Sequence, residues 1–133
     1  MKAMFFIGLG FSTFVGIWHF FVPYLFRWHY YLPSEYKNLI VGIDYTNFSF
    51  SLLLSGYSFL LILAQKKIFN KNKEFLIMYG FMVFVWFCRV SLTFINPWPL
   101  EPIAWAAYGQ QIAVIIIFSL LLIPFIHLLR EKQ

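Results

Sequence analysis

Six side chains in this sequence carry the chemistry that a site would need: His19, Asp44, Asn47, Arg89, Gln110 and Gln111. Each lies inside a run of apolar residues. A polar or ionisable group is costly in hydrocarbon, so such groups turn toward protein or water and mark sites. Arg89 keeps its charge and presents a planar fork of donors. Asp44 is the only acidic residue inside an apolar run, so the two are expected to pair or to share a hydrogen-bond network. His19 joins them as a neutral donor or acceptor, or as a protonatable switch. Two kinds of chemistry follow. One is binding of a lipophilic or amphipathic ligand, or of a membrane partner, through convergent polar groups in an apolar wall. The other is catalysis on a membrane-dissolved quinone, isoprenoid or lipid. There His19 would act as acid or base, Asp44 would orient it, and Arg89 would stabilise developing negative charge.

The elements that must position these residues follow from composition. Of the 133 residues, 62% are hydrophobic and 11% charged, against roughly a quarter charged in a soluble domain. So few charges cannot cover the surface of a water-soluble globule. Four apolar stretches stand out, at about 3–26, 39–64, 75–95 and 103–129. Each meets the roughly 20 residues that span a bilayer at about 1.5 Å per residue. Between them lie 27–38, 65–74 and the tract Asn96-Pro97-Trp98-Pro99-Leu100-Glu101-Pro102, which cannot continue a helix. The expected fold is all-α: an integral membrane four-helix bundle forming a single domain over 1–133. The first stretch exceeds the apolar core of a signal peptide, and Pro23-Tyr24-Leu25-Phe26-Arg27 offers no small-x-small cleavage site, so it reads as a retained span.

Orientation follows from the basic residues. One side carries Lys2, Lys66, Lys67, Lys71, Lys73, Arg130 and Lys132; the other carries Arg27 and Lys37. Positive loops stay in the cytoplasm, which puts both termini there. Tyr24, Trp28, Tyr30, Tyr31, Tyr36, Trp98 and Trp105 form an aromatic belt on the outer side. Lysine-, asparagine- and phenylalanine-rich usage fits an AT-rich bacterial genome, and the expected location is a bacterial inner membrane. Membrane lipids are the expected partners; a homo-oligomer is a further expectation.

Helical periodicity then sorts the polar residues by face. Gly8, Ser12, Gly16, His19 and Pro23 share one face of the first stretch, and Asp44, Asn47, Ser51, Ser55 and Ser58 share one face of the second. Small residues on such faces let helices approach closely. Counted from the outer ends, His19 lies about 10 Å deep, Asp44 about 7 Å, Asn47 about 12 Å, Arg89 about 9 Å, and Gln110 and Gln111 about 12–14 Å. All four stretches therefore bring a polar group to one level in the outer half. Glu101, in the outer loop, is placed to close over it.

Several classes are disfavoured. The net charge of +5 is spread over short connecting segments, and no nucleic-acid-binding motif is present. Cys88 is the single cysteine, so neither an internal disulfide nor a multi-cysteine metal site can form. It reads as a small hydrophobe. A haem bridged by two histidines does not fit, because His19 belongs to the outer half and His127 to the inner end. A haem or metal held by His19, the metal with Asp44, is the weaker alternative. GxSxG, P-loop, GxGxxG and HExxH motifs do not occur. A channel or transporter subunit is a third class, which four helices would reach through oligomers.

The run Gly16-Ile17-Trp18-His19-Phe20-Phe21-Val22-Pro23 closes the first stretch. With the four-span layout it resembles small bacterial membrane proteins of the DoxX-like type. That resemblance implies a multi-pass membrane fold and, for some relatives, a quinone-linked subunit role; it assigns no catalytic residue. Four-span sterol-isomerase-like proteins use buried acids, and this chain offers only Asp44.

Overall fold

The computed structural model describes residues 1–97 and 104–130, and every regular element among them is an α-helix. The order is α1 (Lys2–His19), α2 (Val22–Leu25), α3 (Trp28–Tyr31), α4 (Lys37–Leu63), α5 (Gln65–Phe69), α6 (Lys73–Ile95) and α7 (Ala104–Arg130). Three of the apolar stretches thus form helices within about two residues of their expected limits. Three helices, α4, α6 and Ala107–Arg130 within α7, are long and apolar enough to cross a membrane. Their outward faces are oily: Leu53, Phe94 and Ile95 are each 70% or more exposed. The expected outer loop, with Trp98 and Glu101, lies outside the described residues, as does Lys132.

The first stretch departs from expectation. One helix over 3–26 was predicted, but α1 stops at His19. Phe20 and Phe21 donate to Ile17 and Trp18 three residues back, which tightens the last turn. Pro23 brings no N–H and sits where a new helix starts, so α2 begins there instead. Arg27 then takes a left-handed conformation, φ 50°, and turns the chain into α3.

The chain packs as two compact units, one of residues 10–60 and the other of residues 1–9 and 61–133. In the first, the second half of α1 lies on α4 through small residues. The hydroxyls of Ser12 and Ser58 meet at 2.7 Å, fully buried. Ser51 is also buried. Its hydroxyl donates to the carbonyl of Asn47, and that of Ser55 to the carbonyl of Ser51. Gly16 is required here: a Cβ would stand 2.5 Å from the backbone nitrogen of Ser55. The small-residue faces expected from periodicity are therefore packing faces.

In the second unit, Tyr79 is the largest fully buried side chain. Its ring meets Phe5 and Phe125 edge-on, and Phe5 also meets Phe69. Gly80 leaves room for the Phe125 ring, whose Cζ would lie 2.9 Å from an added Cβ. Gly80 facing Phe125, and Phe87 facing Phe118 at 6.0 Å, set α6 and α7 antiparallel. Pro124 lies inside α7 and cannot donate to the carbonyl four residues back. Beside that gap, Tyr79 Oη donates to the carbonyl of Leu121 at 2.7 Å. Asn72 caps α6 by accepting from the Phe75 N–H at 3.3 Å.

The serine–glycine contact predicts an asymmetry between two glycines. Gly16→Val should destabilise the protein by about 1–3 kcal/mol through overpacking. Gly56→Ala, where an added Cβ meets nothing within 4 Å, should leave it unchanged or slightly more stable. Thermal unfolding in detergent, followed by helical circular dichroism, checks both.

Candidate functional site

The unit of residues 10–60 holds His19, Asp44 and Asn47. His19 ends α1, and its Nδ1–H donates to the Val15 carbonyl at 2.7 Å. The ring lies edge-on to Phe50. Because α1 stops there, the His19 carbonyl has no partner in the next turn. Asn47 Nδ2 donates to it at 2.8 Å. His19 and Asn47 do come together, but through a backbone carbonyl, and Asn47 serves as a helix stop.

Asp44 has a partner that the spacing did not suggest. His29 Nε2–H donates to both carboxylate oxygens, at 2.9 and 3.0 Å. Arg89 is the partner expected from the sequence; the ion pair among the described residues joins Asp44 to His29 instead. The cause lies upstream. A helix continuing to residue 26 would carry His29 away along its axis. The actual break at His19 and the left-handed Arg27 fold α3 back beside the first turns of α4. The two side chains are 43% and 41% exposed, so the pair sits at a surface. A cue existed, since fifteen residues and a Pro33-containing turn separate His29 from Asp44. Next to Trp28 of the aromatic belt, however, a histidine reads equally well as an interfacial residue.

The other unit holds Arg89, Gln110 and Gln111. The antiparallel packing of α6 and α7 brings the end of one to the start of the other, so residues counted to one depth do meet. Arg89, Leu92, Thr93 and Asn96 of the α6 side and Gln110 and Gln111 of α7 line a cleft of about 50 Å³. Leu92 and Asn96 are exposed, so the cleft opens to the surface. Thr93 Oγ1 donates to the Arg89 carbonyl at 2.9 Å. The one ion pair among the described residues is His29–Asp44, which leaves Arg89 without an acidic partner among them. A water takes roughly 30 Å³ of liquid, so the cleft suits one or two waters or one small polar head. A whole drug-sized ligand needs roughly 300–1,000 Å³.

Among the described residues, no three His, Cys, Asp or Glu side chains come together as a metal site. No family model matches the chain, and neither a characterised protein nor a solved structure is significantly similar to it.

An exposed ion pair contributes about 0.2–1 kcal/mol. His29→Ala and Asp44→Ala should therefore each cost no more than that, and the double replacement no more than either alone. A double-mutant cycle on unfolding midpoints at low and high salt tests this. Coupling above about 2 kcal/mol that persists in salt would show a buried, structural pair instead.

Proposed function

We propose that this is a multi-pass protein of a bacterial inner membrane that crosses the bilayer four times with both termini cytoplasmic. It binds a lipophilic ligand, or the apolar flank of a membrane partner, through a polar site in its outer half. The observation that carries the binding reading is the cleft of Arg89, Gln110 and Gln111. A guanidinium with no acidic partner among the described residues, beside two amides and on helices whose outward faces are apolar, has a binding role as its simplest account. His19, Asp44 and Asn47, the other expected ligand-binding residues, belong to the other unit, where Asn47 holds the His19 carbonyl and His29 holds Asp44.

The fourth crossing rests on length. α1, Lys2–His19, rises about 27 Å at helical pitch, close to the roughly 30 Å hydrocarbon layer, and the apolar run continues to Phe26. The orientation rests on charge. Lys2 Nζ lies 5.4 Å from the centre of the Phe69 ring and Lys67 Nζ 4.7 Å from that of Phe75. Together with Lys66, Lys71, Lys73 and Arg130, they gather at one end of their unit. Arg89 belongs to the opposite end of the α6–α7 pair. The DoxX-like layout agrees with such a protein and lends no residue a role. Catalysis is the less favoured reading, because the proposed trio of His19, Asp44 and Arg89 lacks its orienting carboxylate when His29 holds Asp44.

Topology is tested in a Cys88→Ala background. Tyr36→Cys should react with an impermeant thiol reagent on intact cells, and Lys71→Cys only after permeabilisation. The reverse pattern would invert the orientation, and the same pattern at both sites would remove the crossing between them. Ligand binding is tested by native mass spectrometry of protein extracted with its own lipids. A co-purifying mass should fall at least about tenfold in Arg89→Gln/Gln110→Leu and persist in His29→Ala. Equal retention in both variants would rule out this cleft.

A further inference from the structure

We infer that the cleft takes the anionic head of a single-chain amphiphile, a carboxylate or phosphate monoester, whose tail stays in the bilayer beside α6 and α7. The inference rests on the binding site proposed above and adds the chemical class of its ligand.

Charge inventory comes first. The chain has five acidic residues: Glu35, Asp44, Glu74, Glu101 and Glu131. Asp44 is engaged by His29. In the unit that holds Arg89, the one acidic side chain among the described residues is Glu74. It lies fifteen residues earlier on α6, about 22 Å away along the axis. A guanidinium in an apolar helix needs a counter-charge close by. Among the described residues, the protein brings none to it.

The donors around Arg89 fit an anion. The guanidinium offers parallel N–H groups that match two oxygens of a carboxylate or phosphate. Gln110 and Gln111 each add an amide with two N–H donors, and Asn96 at the rim adds another. Thr93 spends its hydroxyl hydrogen on the Arg89 carbonyl, which leaves its oxygen as an acceptor for a protonated phosphate. Among the described residues, no group that lines the cleft is anionic.

Size and surroundings then select an amphiphile. At about 50 Å³ the cleft has no room for a chain. Leu92 at its rim and Ile95, Tyr108 and Ile112 next to its lining residues are all more than half exposed. A head bound at Arg89 would leave its tail lying along these side chains in hydrocarbon. Entry is lateral, from the leaflet, and the tail needs no pocket. A free small anion would gain the same polar contacts but would have to leave water to reach them, without the gain from an anchored chain.

The test uses the full chain in nanodiscs of phosphatidylcholine with radiolabelled palmitate as probe. Unlabelled palmitate and hexadecyl phosphate should compete comparably. Methyl palmitate should compete at least about tenfold more weakly, and acetate and inorganic phosphate at least about a hundredfold. Arg89→Gln should lower palmitate affinity at least about tenfold, and Arg89→Lys should lose a smaller factor because a point charge replaces the fork. Gln110→Leu/Gln111→Leu with Arg89 intact gives an independent reading if Arg89→Gln loses its helical circular dichroism, and it should also weaken palmitate severalfold. Equal binding of palmitate and its methyl ester would overturn the anionic head while leaving a lipophilic-ligand site standing. Acetate or phosphate binding as tightly as palmitate would overturn the amphiphile. Failure of every long-chain probe to bind would overturn the ligand site itself.

Discussion

Inside an apolar helix pair, a polar atom must find its partner within the protein, because neither lipid nor packed side chains will supply one. That constraint accounts for most of the polar geometry described. No buried side-chain nitrogen or oxygen among the described residues lacks a partner. Many helical hydroxyls, buried or not, are satisfied locally. Ser51, Ser55, Ser91, Ser119, Thr46 and Thr93 each donate to a carbonyl four residues back in their own helix. Such bonds need no neighbour, so these residues can sit on a helix without fixing its packing. Two hydrogen bonds that cross between helices lie at interruptions of the backbone. Asn47 serves the carbonyl left by the end of α1, and Tyr79 a carbonyl beside Pro124.

The same constraint explains what could be read from the residues. Long apolar runs bounded by Pro, Asn and Lys give α4, α6 and α7 nearly to the residue, because hydrogen-bonding every peptide within the segment leaves little else for them to do. The glycine–serine faces were legible for a similar reason: spacing of three and four puts Ser12 with Gly16 and Ser51 with Ser55, and only small residues allow backbones to touch. Counting residues from a helix end also placed Arg89 level with Gln110 and Gln111, and they share a cleft. Depth, however, fixes a level and not a direction. Asp44 had the right depth for Arg89 and turned to His29 instead. Hydropathy does not see the cause, since Phe20 and Phe21 are as apolar as any helical residue. The break depends on Pro23 and on Arg27 taking a positive φ, a choice settled by tertiary packing.

The two ionic features differ in kind. His29 and Asp44 neutralise each other at a surface, where the geometry is ordinary and the energetic weight small. Arg89 keeps its charge in a place lined by amides and hydroxyls. A protein that needed only to fasten helices together would gain more by matching the charges internally. That the carboxylate within the apolar segments is held by an imidazole elsewhere, while the guanidinium faces neutral donors and acceptors, is the asymmetry on which the functional reading turns.

Pro124 carries a mechanical consequence. A helix normally resists bending because opening one side stretches a hydrogen bond in every turn. At Pro124 that bond to the Leu120 carbonyl does not exist, and the neighbouring Leu121 carbonyl leans on Tyr79 from another helix. The half of α7 carrying Gln110 and Gln111 is therefore joined to the Arg130 end across a turn that lacks one backbone hydrogen bond and is braced by the Tyr79 phenol. With a lever of about 20 Å at helical rise between Pro124 and the two amides, each degree of bend there would shift them by about 0.3 Å.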